Sequence, residues 1–190
     1  MTPNNESKSK RDEIIEVASK LFYEQGYNRT GVQQIIQEVG TAKGTFYSHF
    51  KSKEELGIAW LKARHTTWNS WLQDAISTKR SAKTKLLASF DFLGDWMEQS
   101  NYRGCAFLNT LCETPECDSP LRQEIAQHKL ELLEQFKSLV ADHHQGLNGS
   151  EQSQIATTLF LLFEGALVEM QNFRDTWPLD AAKAQAKNLL

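Results

Sequence analysis

Residues 30–56 read TGVQQIIQEVGTAKGTFYSHFKSKEEL and hold two short helices, a tight turn and the start of a third helix. Thr30 followed three residues later by Gln33 has the form of a capping box, so the first helix is expected to begin near Gly31. Val32, Ile35, Ile36 and Val39 fall at helical spacing on one face, and Gly40 supplies the left-handed conformation that ends the helix. Thr41 is placed to cap a second helix over residues 42–50, which turns Phe46 and Phe50 inward and leaves Lys43, Thr45, Tyr47 and His49 outward. Ser52 with Glu55 forms another capping box and opens the third helix.

The outward set has the chemistry of a DNA-reading helix. A helix laid in the major groove needs a narrow N-terminus of small residues that can approach bases, flanked by hydrogen-bond donors. Ala42, Lys43, Gly44 and Thr45 meet that need. Tyr47 and His49 can donate to phosphate oxygens, while Lys51 and Lys53 bring charge just beyond the helix end. The whole chain is acidic, with a formal net charge of -3, yet no Asp or Glu lies between Thr41 and Lys53. The anion-binding footprint is therefore local rather than global.

The run Thr30, Gly31, Val32, Ile35, Gly40, Lys43, Gly44, Thr45, Phe46, Tyr47, His49, Phe50, Ser52, Lys53, Glu54 and Leu56 resembles, without gaps, the helix-turn-helix signature of TetR-family transcriptional regulators. With the preceding helix, the resemblance covers roughly the first third of the chain. It implies an all-α fold, with a three-helix DNA-binding domain over residues 8–53 and a helical effector-binding and dimerisation domain over residues 54–190. It implies a repressor that binds a palindromic operator in double-stranded DNA as a homodimer and is released by a small-molecule or electrophile effector. The DNA contacts expected are Thr30, Thr41, Lys43, Gly44, Thr45, Tyr47, His49 and Lys53.

At 190 residues and 40% hydrophobic, the chain can bury a proper core. Residues 1–8 are polar and expected to be loose. The basic trio Lys8, Lys10 and Arg11 reads as a solvated arm, with DNA backbone contact as the alternative. A helix over residues 9–25 buries Ile14, Ile15, Ala18, Leu21 and Phe22 and stops at Gly26. The N-terminus lacks the apolar core of a signal peptide, and no stretch approaches the run needed to cross a bilayer, so a cytoplasmic location without a membrane partner is expected. Further helices are expected over residues 52–77, 82–99, 102–112, 120–142 and 150–173, and from about 179 onward. The last two carry faces that suit a four-helix interface with the same pair from a second copy.

Trp60, Arg64, Trp68 and Trp71 fall close to one helical face, which reads either as core or as the aromatic wall of an effector pocket. Cys105 and Cys112 lie seven apart, hence on one face if the helix over residues 102–112 is regular. The Gly104-Cys105 opening resembles a branch of the same family in which some members sense electrophiles or oxidants through a cysteine at a similar place. A cysteine on an apolar helix also reads as a small buried hydrophobe. The three cysteines have neither the spacing of a zinc site nor that of a disulfide framework, and no phosphate-cradling glycine loop is present. His143-His144 reads as a solvated helix end. No cofactor, metal site or enzymatic activity is expected. The competing reading is an all-helical small-molecule-binding or thiol-reactive protein without DNA affinity.

Overall fold

The computed structural model describes residues 8–190, so the expected looseness of residues 1–7 lies outside the described residues. Among the described residues there are nine α-helices and no strand: α1 (Lys10–Gln25), α2 (Val32–Val39), α3 (Lys43–His49), α4 (Lys53–Ser77), α5 (Ala82–Gln99), α6 (Ala106–Glu113), α7 (Pro120–His143), α8 (Gly149–Phe173) and α9 (Trp177–Leu189). The chain forms two compact units. The first runs to Arg64 and adds residues 106–125; the second comprises residues 65–105 and 126–190.

In the first unit, Ser9 caps α1 by accepting from the Asp12 amide, and Ile14, Ala18, Leu21 and Phe22 form its buried stripe. The Thr30–Gln33 capping box does not form. Gly31 is the N-cap of α2 and makes no side-chain bond, because the Thr30 hydroxyl turns inward toward the carbonyls of Gly26 (2.8 Å) and Leu21 (3.3 Å). Gly40 ends α2 at φ 65, as its position required. The N-cap of α3 is Ala42 rather than Thr41, again without a side-chain bond. Ser52 accepts from the Glu55 amide at 3.0 Å, and the Glu55 carboxylate accepts from Lys51 N, one residue outside the expected box.

In the second unit, α5 opens on a capping box between Ser81 and Thr84. It closes with Asn101 N donating to Glu98 O (2.9 Å) and Tyr102 N donating to Met97 O (2.7 Å), a Schellman motif with asparagine in the left-handed position. Tyr102 is left-handed too, at φ 55. Two such residues in a row cannot start a helix, so α6 begins at Ala106 rather than near residue 102. Cys105 therefore precedes the helix, and the shared helical face expected for Cys105 and Cys112 does not exist.

Helix α8 packs against α5 and α9, and Phe163 on it lies 5.7 Å from the rings of both Phe90 and Phe136. It is also apolar on a second, exposed face carrying Leu161 and Val168, and Phe173 is exposed at its end. By length and composition α8 is apolar enough to cross a bilayer, with mean hydropathy 1.2 over an 18-residue window, contrary to the expectation from sequence. Two apolar faces on one core helix account for that value. His143 and His144 are not simply solvated: their Nε2 atoms lie 2.7 and 3.1 Å from the carbonyls of Leu190 and Leu189.

Candidate nucleic-acid interface

The reading helix is anchored from behind. Phe46 and Phe50 are fully buried, 6.1 Å apart, and the Arg11 guanidinium covers the Phe50 ring at 5.0 Å. On the outer side, Lys43, Gly44 and Tyr47 are exposed, and Thr41, Thr45 and His49 are half-buried. Tyr47 stands edge-on to Phe46 at 5.2 Å, with the Lys43 ammonium 6.0 Å from its ring centre. Lys51 donates to the Tyr47 carbonyl at 3.2 Å, closing the end of α3. A Cβ added at Gly44 would meet nothing within 4 Å. The fold gains nothing from glycine there, and a helical glycine costs about 1 kcal/mol relative to alanine.

Two expected contact residues are placed elsewhere. Thr30 is fully buried with its hydroxyl turned inward, so it braces the turn before α2 and offers no atom to a phosphate. Lys53 is half-buried, with its ammonium 4.4 Å over the Tyr27 ring and 3.5 Å from the Asn28 carbonyl. Burial lowers its pKa, and the Glu113 carboxylate works against that shift. Burial also raises the Tyr27 phenol to about 12, with a smaller push from Glu54. Of the basic trio, Lys8 pairs with Glu16 at 2.7 Å and Lys10 with Glu13, both on α1.

The expected effector residues fall into two sets. In the first unit, Trp60 packs on Phe22 at 5.1 Å and is 1% exposed; its Nε1 is buried without a hydrogen-bond partner. The Arg64 guanidinium lies 4.6 Å over the Tyr23 ring, and Cys112 is exposed. In the second unit, Trp68 meets Phe92 (5.5 Å), Trp96 (6.1 Å) and His128 (5.2 Å) edge-on. His128 Nδ1 lies 2.9 Å from His65 Nδ1, and burial, aided by the nearby Lys129 and His65, lowers its pKa to about 3.

Cys105 is buried in the second unit, and the Lys129 ammonium approaches its sulfur at 3.8 Å while donating to both oxygens of Glu164 at 2.7 and 2.8 Å. Burial pulls the Lys129 pKa down, but Cys105 and Glu164 outweigh it and leave it raised. Gly104, at φ 80, makes room for Gln171, whose Oε1 lies 1.9 Å from where a Cβ would sit. Sequence reasoning missed Lys129 and Glu164 because they come from α7 and α8, with no local pattern linking them to Cys105.

A three-helix head that presents Lys43, Gly44, Thr45 and Tyr47 from a stretch without Asp or Glu, followed by a helical body, defines a helix-turn-helix DNA-binding protein. The sequence profile described as bacterial regulatory proteins, tetR family, matches residues 14–59. That of the tetracyclin repressor-like C-terminal domain matches residues 82–186. The chain belongs to the TetR family of DNA-binding transcriptional regulators. It is 23% identical over 185 residues to the HTH-type transcriptional repressor NemR of Escherichia coli strain K12, covering 95% of this chain and 93% of that protein. To the HTH-type transcriptional repressor DhaR of Mycobacterium sp. strain GP1 it is 24% identical over 175 residues, covering 90% and 86%. Among solved structures, a TetR-family regulator from Streptomyces coelicolor superposes with TM-score 0.84 at 22% identity, covering 95% of this chain and 93% of that one. The reduced form of Escherichia coli NemR superposes with TM-score 0.82 at 19% identity, covering 96% and 98%.

Proposed function

We propose that the protein is a non-enzymatic cytoplasmic repressor that occupies a palindromic operator as a homodimer and leaves it when an effector acts on the helical body. Residues 8–53 read DNA and residues 54–190 respond and dimerise. The observation that carries the reading is Gly44, a helix-weakening residue on an exposed surface where the fold leaves space around it. Lys43, Gly44 and Thr45 meet bases or adjacent phosphates, and Thr41, Tyr47 and His49 meet phosphates.

Dimerisation follows from the exposed stripe of Leu161, Val168 and Trp177, beside an open groove of about 310 Å³ between α8 and α9. Gly165 lies within this face, and a Cβ there would meet nothing within 4 Å, which suits the close approach of another helix. Two copies place two short reading helices in successive major grooves, as a palindrome requires.

The effector is an electrophile that adds to Cys105. The adjacent Lys129 and the likeness to NemR, a repressor solved in a reduced form, support this. Trp68 lines the same unit; Trp60, Arg64 and Cys112 take secondary effector roles in the other. The test is sequencing of genomic fragments captured by the purified protein, before and after benzoquinone, with Cys105→Ser alongside. The expected result is one palindrome, released by quinone from the wild type and retained by Cys105→Ser. No enrichment even at low salt would refute operator binding. A palindrome that quinone does not release would refute the cysteine effector alone.

A further inference from the structure

We infer that Glu113 is a positioning residue for operator binding: the last residue of α6 grips the turn that leads into α2 and thereby fixes where the two reading helices stand. This rests on the DNA-binding reading above. The Asn28 amide N–H donates to Glu113 Oε2, and the Asn28 side-chain amide donates to the Glu113 carbonyl at 2.7 Å. The Asn28 carbonyl accepts from Lys53 at 3.5 Å. All three of these Asn28 groups therefore leave the turn, two toward α6 and one toward α4.

Gly26 completes the grip. A Cβ there would lie 2.7 Å from Glu113 Oε1, so the carboxylate occupies the space a side chain would take. The turn is stiff, because Thr30 bonds back to the Gly26 carbonyl, and α2 begins two residues after Thr30. A displacement of Asn28 therefore moves the start of α2.

The far side of the grip is also fixed. Thr114 is buried, its hydroxyl donates to Thr110 O at 2.9 Å, and its carbonyl accepts from Arg122 at 2.8 Å. Ser119 donates to Glu54 at 3.1 Å, and Lys62 pairs with Glu124 at 3.2 Å. Helices α1 and α2 also pack on each other directly, with Leu21, Phe22, Ile35 and Ile36 buried. The bond between residues 85 apart in sequence adds a tie from α6 to the reader.

The test is operator affinity by fluorescence anisotropy, using the duplex recovered by genomic capture, for Glu113→Ala, Asn28→Ala, their double variant and Glu113→Gln. Electrostatics alone predict that deleting an anion tightens binding to DNA. The grip predicts the opposite: Glu113→Ala weakens binding about tenfold, the loss expected from a hydrogen bond to a charged group, and Asn28→Ala about fivefold, that of a neutral one. The double variant is weaker than either single one, because the Glu113 carboxylate holds the Asn28 backbone N–H and the Glu113 carbonyl holds the Asn28 side chain, two separate bonds. Glu113→Gln retains an acceptor for the Asn28 amide and recovers most of the affinity. The salt slope stays unchanged, since no phosphate contact is lost.

Unchanged or tighter binding by both alanine variants would overturn the inference, as would a double variant that binds like the wild type. A lower melting temperature with unchanged affinity would mark Glu113 as merely structural. Asn28 is exposed, so its variant keeps the test decisive if Glu113→Ala fails to fold. Wild-type protein that binds no duplex would instead refute the operator reading itself.

Discussion

Replacing Thr30 with valine separates bracing from DNA contact at a position that sits inside the signature. Valine keeps the shape of threonine and removes only the hydroxyl, which in the structure lies 2.8 Å from the Gly26 carbonyl with no solvent exposure. Its loss leaves a buried carbonyl without that donor, a cost of about 1–2 kcal/mol. For a chain of this length each kcal/mol shifts the melting temperature by about 2–4 °C, so a fall of roughly 2–8 °C is expected. The assay pairs thermal unfolding by circular dichroism with operator affinity measured at several salt concentrations well below the melting temperature. The salt slope should be that of the wild type, because the hydroxyl touches no phosphate. A slope reduced by about 0.9 with unchanged thermal stability would refute the reasoning and make Thr30 a phosphate ligand.

Lys43→Met should do the reverse, lowering the salt slope by about 0.9 per protomer while moving stability by less than about 0.5 kcal/mol. Gly57→Ala places a Cβ 2.8 Å from Tyr27 Cε2 and 3.0 Å from Leu121 Cδ2. Overpacking of about 1–3 kcal/mol should exceed the gain of about 1 kcal/mol in helix propensity, and a raised melting temperature would show that Tyr27 gives way. His128, at about 3 in the folded chain against 6.5 unfolded, binds its proton more readily when unfolded. Its contribution is complete above pH 6.5 and declines as pH falls toward 3, by up to about 1.4 kcal/mol per unit. His128→Gln should flatten the fall of melting temperature between pH 6.5 and 5, and an unaltered slope would assign the acid sensitivity elsewhere. Leu161→Glu should convert the dimer to monomer in sedimentation and weaken operator binding with it; a variant that stays dimeric would move the interface off this face.

What the sequence made legible was local. The expected span 82–99 matches α5, the expected start at 120 matches α7, and Gly40 ends α2, each from a signal within a few residues of its effect. The late start of α6 was not legible, because nothing in Asn101-Tyr102 announces that a tyrosine will adopt a left-handed conformation. Nor were Lys129, Glu164 and Glu113, whose roles come from partners 24, 35 and 85 residues away. Outward-facing Lys43 and Tyr47 were read from helical periodicity. For Thr30 and Lys53, the turn and Tyr27 draw the side chains away from the surface that periodicity and composition suggested.

Those two departures bear on what a dense signature encodes. Lys43, Gly44 and Tyr47 are open to a partner, whereas Thr30 and Lys53 are engaged with the turn that Asn28 and Glu113 also hold. On the proposed operator reading, the signature combines residues that would touch DNA with residues that would place those contacts. A short helix reaching only a few base pairs has little to gain from more contacts if its angle is wrong, because a bidentate base contact is lost with small misplacements. Placement is also the quantity an effector can change without touching the reading surface. Cys105, the proposed site of effector addition, lies one residue before α6, and Glu113 is the far end of that helix. Under the proposed release by an effector, a shift of α6 along its eight residues would arrive at the grip on Asn28, and the bonds that hold the reader in register would be the ones to loosen.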